Sequence, residues 1–122
     1  MEFEQFVDAV RNIASKETSA DPDGWTLENP LWGHCAVVAL LAQDVYGGEL
    51  VRGSLLDIPH YAHLRSHYWN RIDSAEIDFT AEQYSDLSIK DLVGEARERN
   101  TLLEHPDTVR RYLLLKSRFN KD

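Results

Sequence analysis

The single cysteine, Cys35, follows Gly33-His34 and opens an apolar run; His67 and Asp78 come downstream of it. A thiol, an imidazole and a carboxylate in that order are the parts of nucleophilic acyl-transfer chemistry. The thiolate attacks a carbonyl, the imidazole takes and returns a proton, and the carboxylate fixes the ring's tautomer. A cysteine in the first turn of a helix sits at the positive end of the helix dipole, which favours thiolate over thiol. Gly33 permits an unusual backbone turn just before it. An oxyanion formed in such a reaction needs donors aimed at it. The Cys35 N–H is the first candidate. Asn29 or the Trp32 indole could supply the second from the preceding loop, with Trp25 and Trp32 lining a cleft. His34 projects about 100° away from Cys35 on a helix, so it is expected beside the cleft rather than as the proton partner. Asn70 and Gln83 are further candidates for substrate contact.

Each residue also has a structural reading. A lone cysteine packs well as a small buried hydrophobe. Asp78 could cap the turn at Thr80-Ala81. Trp69 suits core packing, or shielding of the His67–Asp78 pair. A zinc alternative comes from His60, His63 and His67 with Asp57 nearby, since three imidazoles and a water make a catalytic zinc site. That spacing shares a face only on a helix. Pro59, Tyr61, Tyr68 and Trp69 favour loop and strand, where residues 60 and 63 face opposite ways. Gly47-Gly48 lacks the spacing and the following lysine of a phosphate-binding loop. No metal and no cofactor are expected.

The elements that must position these groups can be read from periodicity. Residues 2–15 place Phe3, Phe6, Val7, Val10, Ile13 and Ala14 at amphipathic-helix spacing. Residues 16–34 hold many turn formers and read as a long connection, a kind that is often functional. Cys35 to Tyr46 is apolar nearly all round and stops at Gly47-Gly48, the pattern of a buried helix. Glu49–Leu55, Arg65–Ile72 and Ala75–Thr80 read as strands, the last two joined by a tight turn at Asp73-Ser74. Antiparallel pairing about that turn sets His67 opposite a residue near 80 and makes Asp78 its diagonal neighbour. Residues 81–84 suit one helical turn. Residues 86–99 give a weak helix interrupted by Gly94. Pro106 to Phe119 gives a stronger helix, with Pro106 in its first turn.

On these residues the chain resembles a known family. Gly33-His34-Cys35-Ala36-Val37-Val38-Ala39-Leu40 with Gln43-Asp44 and Gly47-Gly48-Glu49 is similar to the YunG-like family of small bacterial proteins. So are His67-Tyr68-Trp69-Asn70-Arg71, Ile77-Asp78-Phe79-Thr80, Gln83-Tyr84 and Arg111-Tyr112. The Cys, His-x-Trp, Asp-x-Thr order resembles the transglutaminase-like branch of papain-fold enzymes. That resemblance implies an α+β, papain/transglutaminase-like fold: a buried helix with an N-terminal cysteine, packed on a small antiparallel sheet with flanking helices. It also implies Cys35 as nucleophile, His67 as base and Asp78 as orienting acid.

The bulk composition agrees with one small domain over 1–122. The chain has 122 residues, 43% hydrophobic and 28% charged, ordinary values for a globular protein. Its net charge of −8 disfavours a nucleic-acid partner, because phosphate binding rests on Lys and Arg. One cysteine allows no intrachain disulfide, which suits a reducing compartment. The first residues lack the basic and apolar pattern of a signal peptide, and the run at 36–42 is far below the ~20 residues of a membrane span. A cytoplasmic location is expected. The expected function is a thiol-dependent acyl-transfer enzyme, an amidase, peptidase or transglutaminase-like protein, acting on a small-molecule or protein-presented acyl substrate. The alternative is a non-catalytic binding or regulatory module on the same fold.

Overall fold

A computed structural model describes residues 1–121, so Asp122, the last residue of the expected domain, lies outside the described residues. Among the described residues the architecture is mixed α+β, with four α-helices and one antiparallel four-stranded sheet. Helix α1 (Phe3–Ile13) comes first, then a long connection, then α2 (Cys35–Tyr46). Strands β1 (Glu49–Ser54), β2 (Ser66–Ile72), β3 (Ala75–Ile77) and β4 (Gly94–Arg97) follow, and α3 (Arg99–Leu103) and α4 (Pro106–Phe119) close the chain. The strand order is β3-β2-β1-β4.

Helix α2 is the centre of the molecule. Val37 to Ala42 are all buried, because α2 packs on β2 on one side and on α4 on another. The apolar run from Cys35 to Ala42 is the consequence: a helix covered on most sides leaves room for polar groups only at Gln43 and Asp44 near its end. The core adds Phe6 and Val10 from α1, Leu50 and Ile72 from the sheet, and Leu102, Tyr112 and Leu115 from the C-terminal helices. Phe3, Phe6, Tyr46 and Phe79 pack as edge-to-face and stacked rings around one end of α2. Polar ties fix the helices: the Tyr112 hydroxyl donates to Asp44, Arg99 Nη2 donates to that hydroxyl at 2.7 Å, and Arg118 Nη1 donates to Ile13 O at 2.9 Å.

The β2–β3 hairpin has the expected register, with Asn70 opposite Ile77 and Ile72 opposite Ala75. Asp73 and Ser74 both take positive φ, 50° and 68°, the backbone of a two-residue turn that matches strand twist. The third strand stops at Ile77, three residues short of the expected Thr80, because the Asp78 carboxylate accepts the Thr80 N–H at 3.1 Å and turns the chain out of the ladder.

The expected helix over 86–99 is replaced by a single 3-10 turn (Ile89–Asp91) and by β4. The cause is Trp69. Gly53 and Gly94 are register partners in β1 and β4, and both open space for the Trp69 indole. A Cβ on Gly94 would stand 2.6 Å from Trp69 Cζ2. The glycine that weakens a helix here makes room for a buried tryptophan.

Candidate active site

Three elements bring the candidate catalytic groups together. The 16–34 connection folds back on itself, with Ala20 N–H donating to Gly33 O at 2.9 Å. Gly33 takes φ 75°, and a side chain there would collide with the Ser19 hydroxyl and crowd the Ala20 and Asp21 nitrogens. This forced turn lets α2 begin at Cys35, whose first-turn N–H groups have no intrahelical acceptor. The cysteine is half-buried. It lines a cleft of about 230 Å³ together with Gly33, Leu64, Arg65, Gln83 and Tyr84.

His67 projects from β2 and is 1% exposed. Its Nε2 meets Asp78 Oδ2 at 2.8 Å. With Nε2 occupied, Nδ1 is the ring nitrogen left for the thiol. The Tyr84 hydroxyl approaches the same Nδ1 at 3.3 Å. Burial pulls the His67 pKa down. Hydrogen bonds to Asp78 and then to Cys35 outweigh it and raise the pKa from 6.5 to about 9. Trp69 stacks on the ring with centroids 5.8 Å apart and an interplanar angle of 26°, so the tryptophan both fills the core and shields the pair.

Asp78 serves two partners, one per oxygen. Oδ2 holds His67, and Oδ1 accepts the Thr80 N–H at 3.1 Å and the Thr80 hydroxyl at 3.3 Å. Both sequence readings of Asp78, turn cap and histidine partner, are therefore present at once. A buried relay extends it: Gln83 Nε2 donates to Thr80 Oγ1 at 2.8 Å, and Gly33 N–H donates to Gln83 Oε1 at 3.1 Å. The carboxylate and the turn that sets Cys35 are thus tied by one continuous set of hydrogen bonds.

The other expected site residues are placed elsewhere. Trp25, Asn29, Trp32, His34 and Asn70 do not line the cleft that contains Cys35. Trp25 Nε1 donates to Pro30 O at 2.8 Å and closes a local turn. Asn29 Nδ2 donates to Gln83 O at 3.1 Å, and Trp32 Nε1 to Asp21 Oδ2 at 2.9 Å, so both candidate oxyanion donors are spent on holding the loop. Asn70 is buried and donates to Ala39 O at 3.0 Å, tying β2 to α2. His34 is fully buried, its ring between Thr18 Oγ1 at 2.6 Å and Trp32 O at 2.9 Å. Burial, opposed by the Trp32 carbonyl, lowers its pKa to about 4. It is a neutral structural histidine. His60 and His63 are exposed while His67 is committed to Asp78, and among the described residues no three such side chains are grouped to hold a metal ion.

Tyr84, Arg65, Arg111 and His105 are cleft residues that the sequence reading missed. Tyr84 had a signal: it follows the short turn (Ala81–Gln83) that returns the chain toward His67. Burial, then the charges of Cys35, Asp78 and Tyr61, raises its pKa, so the hydroxyl stays protonated. Arg111 had only its place in the Arg111-Tyr112 pair that carries the family resemblance, and Arg65 and His105 come from loops distant in sequence and had none.

The family model described as YunG protein matches residues 2–122. The Bacillus subtilis (strain 168) protein named "Uncharacterized protein YunG" is 35% identical over 60 residues, a segment covering 49% of this chain and 46% of that one. The matched segment is thus about half the length of that curated relative. No solved structure matches the chain significantly.

Proposed function

The chain belongs to the YunG protein family, and we propose that it is a thiol-dependent acyl-transfer enzyme with a papain/transglutaminase-like arrangement of Cys35, His67 and Asp78. The observation that supports this best is the state of His67: a buried imidazole held by a carboxylate at 2.8 Å on Nε2, with the Cys35 thiol among the groups that raise its pKa. A ring pushed to about 9 favours the imidazolium at neutral pH, the partner a thiolate needs.

The reaction then follows. The Cys35 thiolate adds to the carbonyl carbon of an amide, ester or thioester. The oxyanion lies near the first N–H groups of α2, where the helix dipole also favours negative charge. His67 gives its Nδ1 proton to the leaving amine, alcohol or thiol while Asp78 keeps the Nε2–H. The carbonyl re-forms as the bond to the leaving group breaks, giving a thioester on Cys35. Water or an amine, deprotonated by His67, displaces the thiol and releases acid or amide. The substrate is a small molecule or an acyl group presented by a partner protein. The thiolate needs a reducing compartment to escape oxidation, and a cytoplasmic location is part of the same proposal. Among the described residues no helix is long and apolar enough to cross a membrane.

The test is the pH dependence of Cys35 alkylation by iodoacetamide, with an activated ester used to trap the acyl-enzyme for mass spectrometry. Rapid alkylation at pH 6 and a thioester adduct on Cys35 are expected. Reaction only above about pH 8.5, as for a free cysteine, would instead support a non-catalytic binding module.

A further inference from the structure

The molecule carries a net charge of −8, yet among the described residues no Asp or Glu lines the cleft beside Cys35. The ionisable nitrogen groups there are Arg65, Arg111 and His105. We propose that this cleft selects a small acyl group bearing a carboxylate, which the arginines hold while its reacting carbonyl meets Cys35. The proposal rests on the thiol-enzyme reading above and names its substrate class.

Arg111 is only 4% exposed. Its Nε donates to Asp107 Oδ2 at 2.9 Å, and its terminal nitrogens donate to Thr18 O at 3.4 Å and Thr108 Oγ1 at 3.3 Å. Asp107 also accepts from Arg110 Nη2 at 2.8 Å. Two guanidiniums therefore share one carboxylate. A guanidinium has five N–H donors, so Arg111 retains donors beyond these three contacts.

Arg65 makes no ion pair among the described residues. It also takes φ 70° and ψ −50°, a conformation that costs a residue with a side chain and is usual for glycine. The fold holds a bulky cation where a glycine would be unstrained, at a position that lines the same cleft as the nucleophile. Guanidinium geometry matches a planar carboxylate through paired hydrogen bonds. The cleft's 230 Å³ is below the roughly 300–1,000 Å³ of pockets for drug-sized ligands, so the acyl group must be short. A dicarboxylic acyl group or an acidic side chain fits these limits.

Iodoacetate and iodoacetamide read this directly, since both alkylate the thiolate with loss of iodide and differ in a carboxylate. In the full chain the iodoacetate-to-iodoacetamide rate ratio at Cys35 is expected to exceed that of free cysteine by about tenfold, the worth of one charge-assisted hydrogen bond. Arg65→Gln should return the ratio toward that of free cysteine, the ratio cancelling any change in thiol reactivity common to both reagents. Lys90→Gln, which removes a charge outside the cleft, should leave the ratio unchanged. Glutarate should protect Cys35 better than inorganic phosphate at equal concentration. Fast, His67-dependent iodoacetamide labelling with no iodoacetate preference would overturn the carboxylate proposal and leave the thiol enzyme standing. Protection by phosphate and not by glutarate would overturn the choice of anion. Slow labelling by both reagents would overturn the enzyme reading and this proposal with it.

Discussion

His34 and His67 are equally buried, at 0% and 1% exposure, and both lie next to Cys35, one in sequence and one across the site. Burial pushes each toward the neutral form. His34 meets a hydroxyl and a carbonyl, and its pKa falls to about 4. His67 meets a carboxylate and a thiol, and its pKa rises to about 9. Depth of burial therefore says little about what a histidine does in this molecule. The charge on its partner decides, because a low-dielectric site amplifies an opposite charge as strongly as it penalises an isolated one.

The largest expected effect separates the two rings by chemistry. His67→Ala should lower Cys35 alkylation at pH 6 by roughly 10²–10³-fold. His34→Gln should leave that rate in place while lowering thermal stability, since it replaces a ring bonded on both nitrogens. Equal losses of rate in the two variants, followed by mass spectrometry, would break the distinction.

The second effect separates them by stability. His67 has a folded pKa above its unfolded value, so its contribution is complete below about pH 6.5 and is lost as pH rises through about 9. His34 has a folded pKa below its unfolded value, so its contribution is complete above about pH 6.5 and is lost as pH falls toward about 4. Each limb is worth on the order of 3 kcal/mol. Urea midpoints should peak near pH 6.5. His34→Gln should flatten the acid side of that curve and His67→Ala the alkaline side. A variant that flattens the wrong side would reverse the protonation assignment.

The sequence made one of these histidines legible and concealed the other. His67 was accessible because hairpin register is set by a short turn and by period-two alternation, and both hold. The α2 span was legible because a nearly all-apolar run of twelve residues ending in two glycines has few other solutions. His34 was read as a cleft residue because helical spacing says only that neighbours diverge. It does not say that the Gly33 turn drives the ring inward, toward Thr18 of a loop whose path no periodicity specifies. The fourth strand was hidden for a related reason. Gly94–Arg97 is short and mostly exposed, and it is held by a glycine pair around Trp69, a contact that becomes visible only when both strands are in place. Local pattern carried the elements with one buried face, and long-range packing set the rest.

The smallest expected effect concerns the two positive-φ residues on the cleft, Gly33 and Arg65. Gly33 has no room for a side chain, whereas Arg65 bears a cation in nearly the same φ. If Arg65 is there for charge, Arg65→Gly relieves backbone strain at the expense of anion preference. The strain relief of about 1–2 kcal/mol is partly offset by the extra freedom of glycine in the unfolded chain, about 0.5–1 kcal/mol. A net gain of up to about 1.5 kcal/mol should raise the melting temperature by a few degrees, roughly 3–5 °C per kcal/mol for a chain of this size. The same variant should lower the iodoacetate preference of Cys35. A fall in melting temperature instead would mean that the Arg65 stem contributes by packing, and the strain at this position would then be a by-product of the fold rather than a sign of selection for charge.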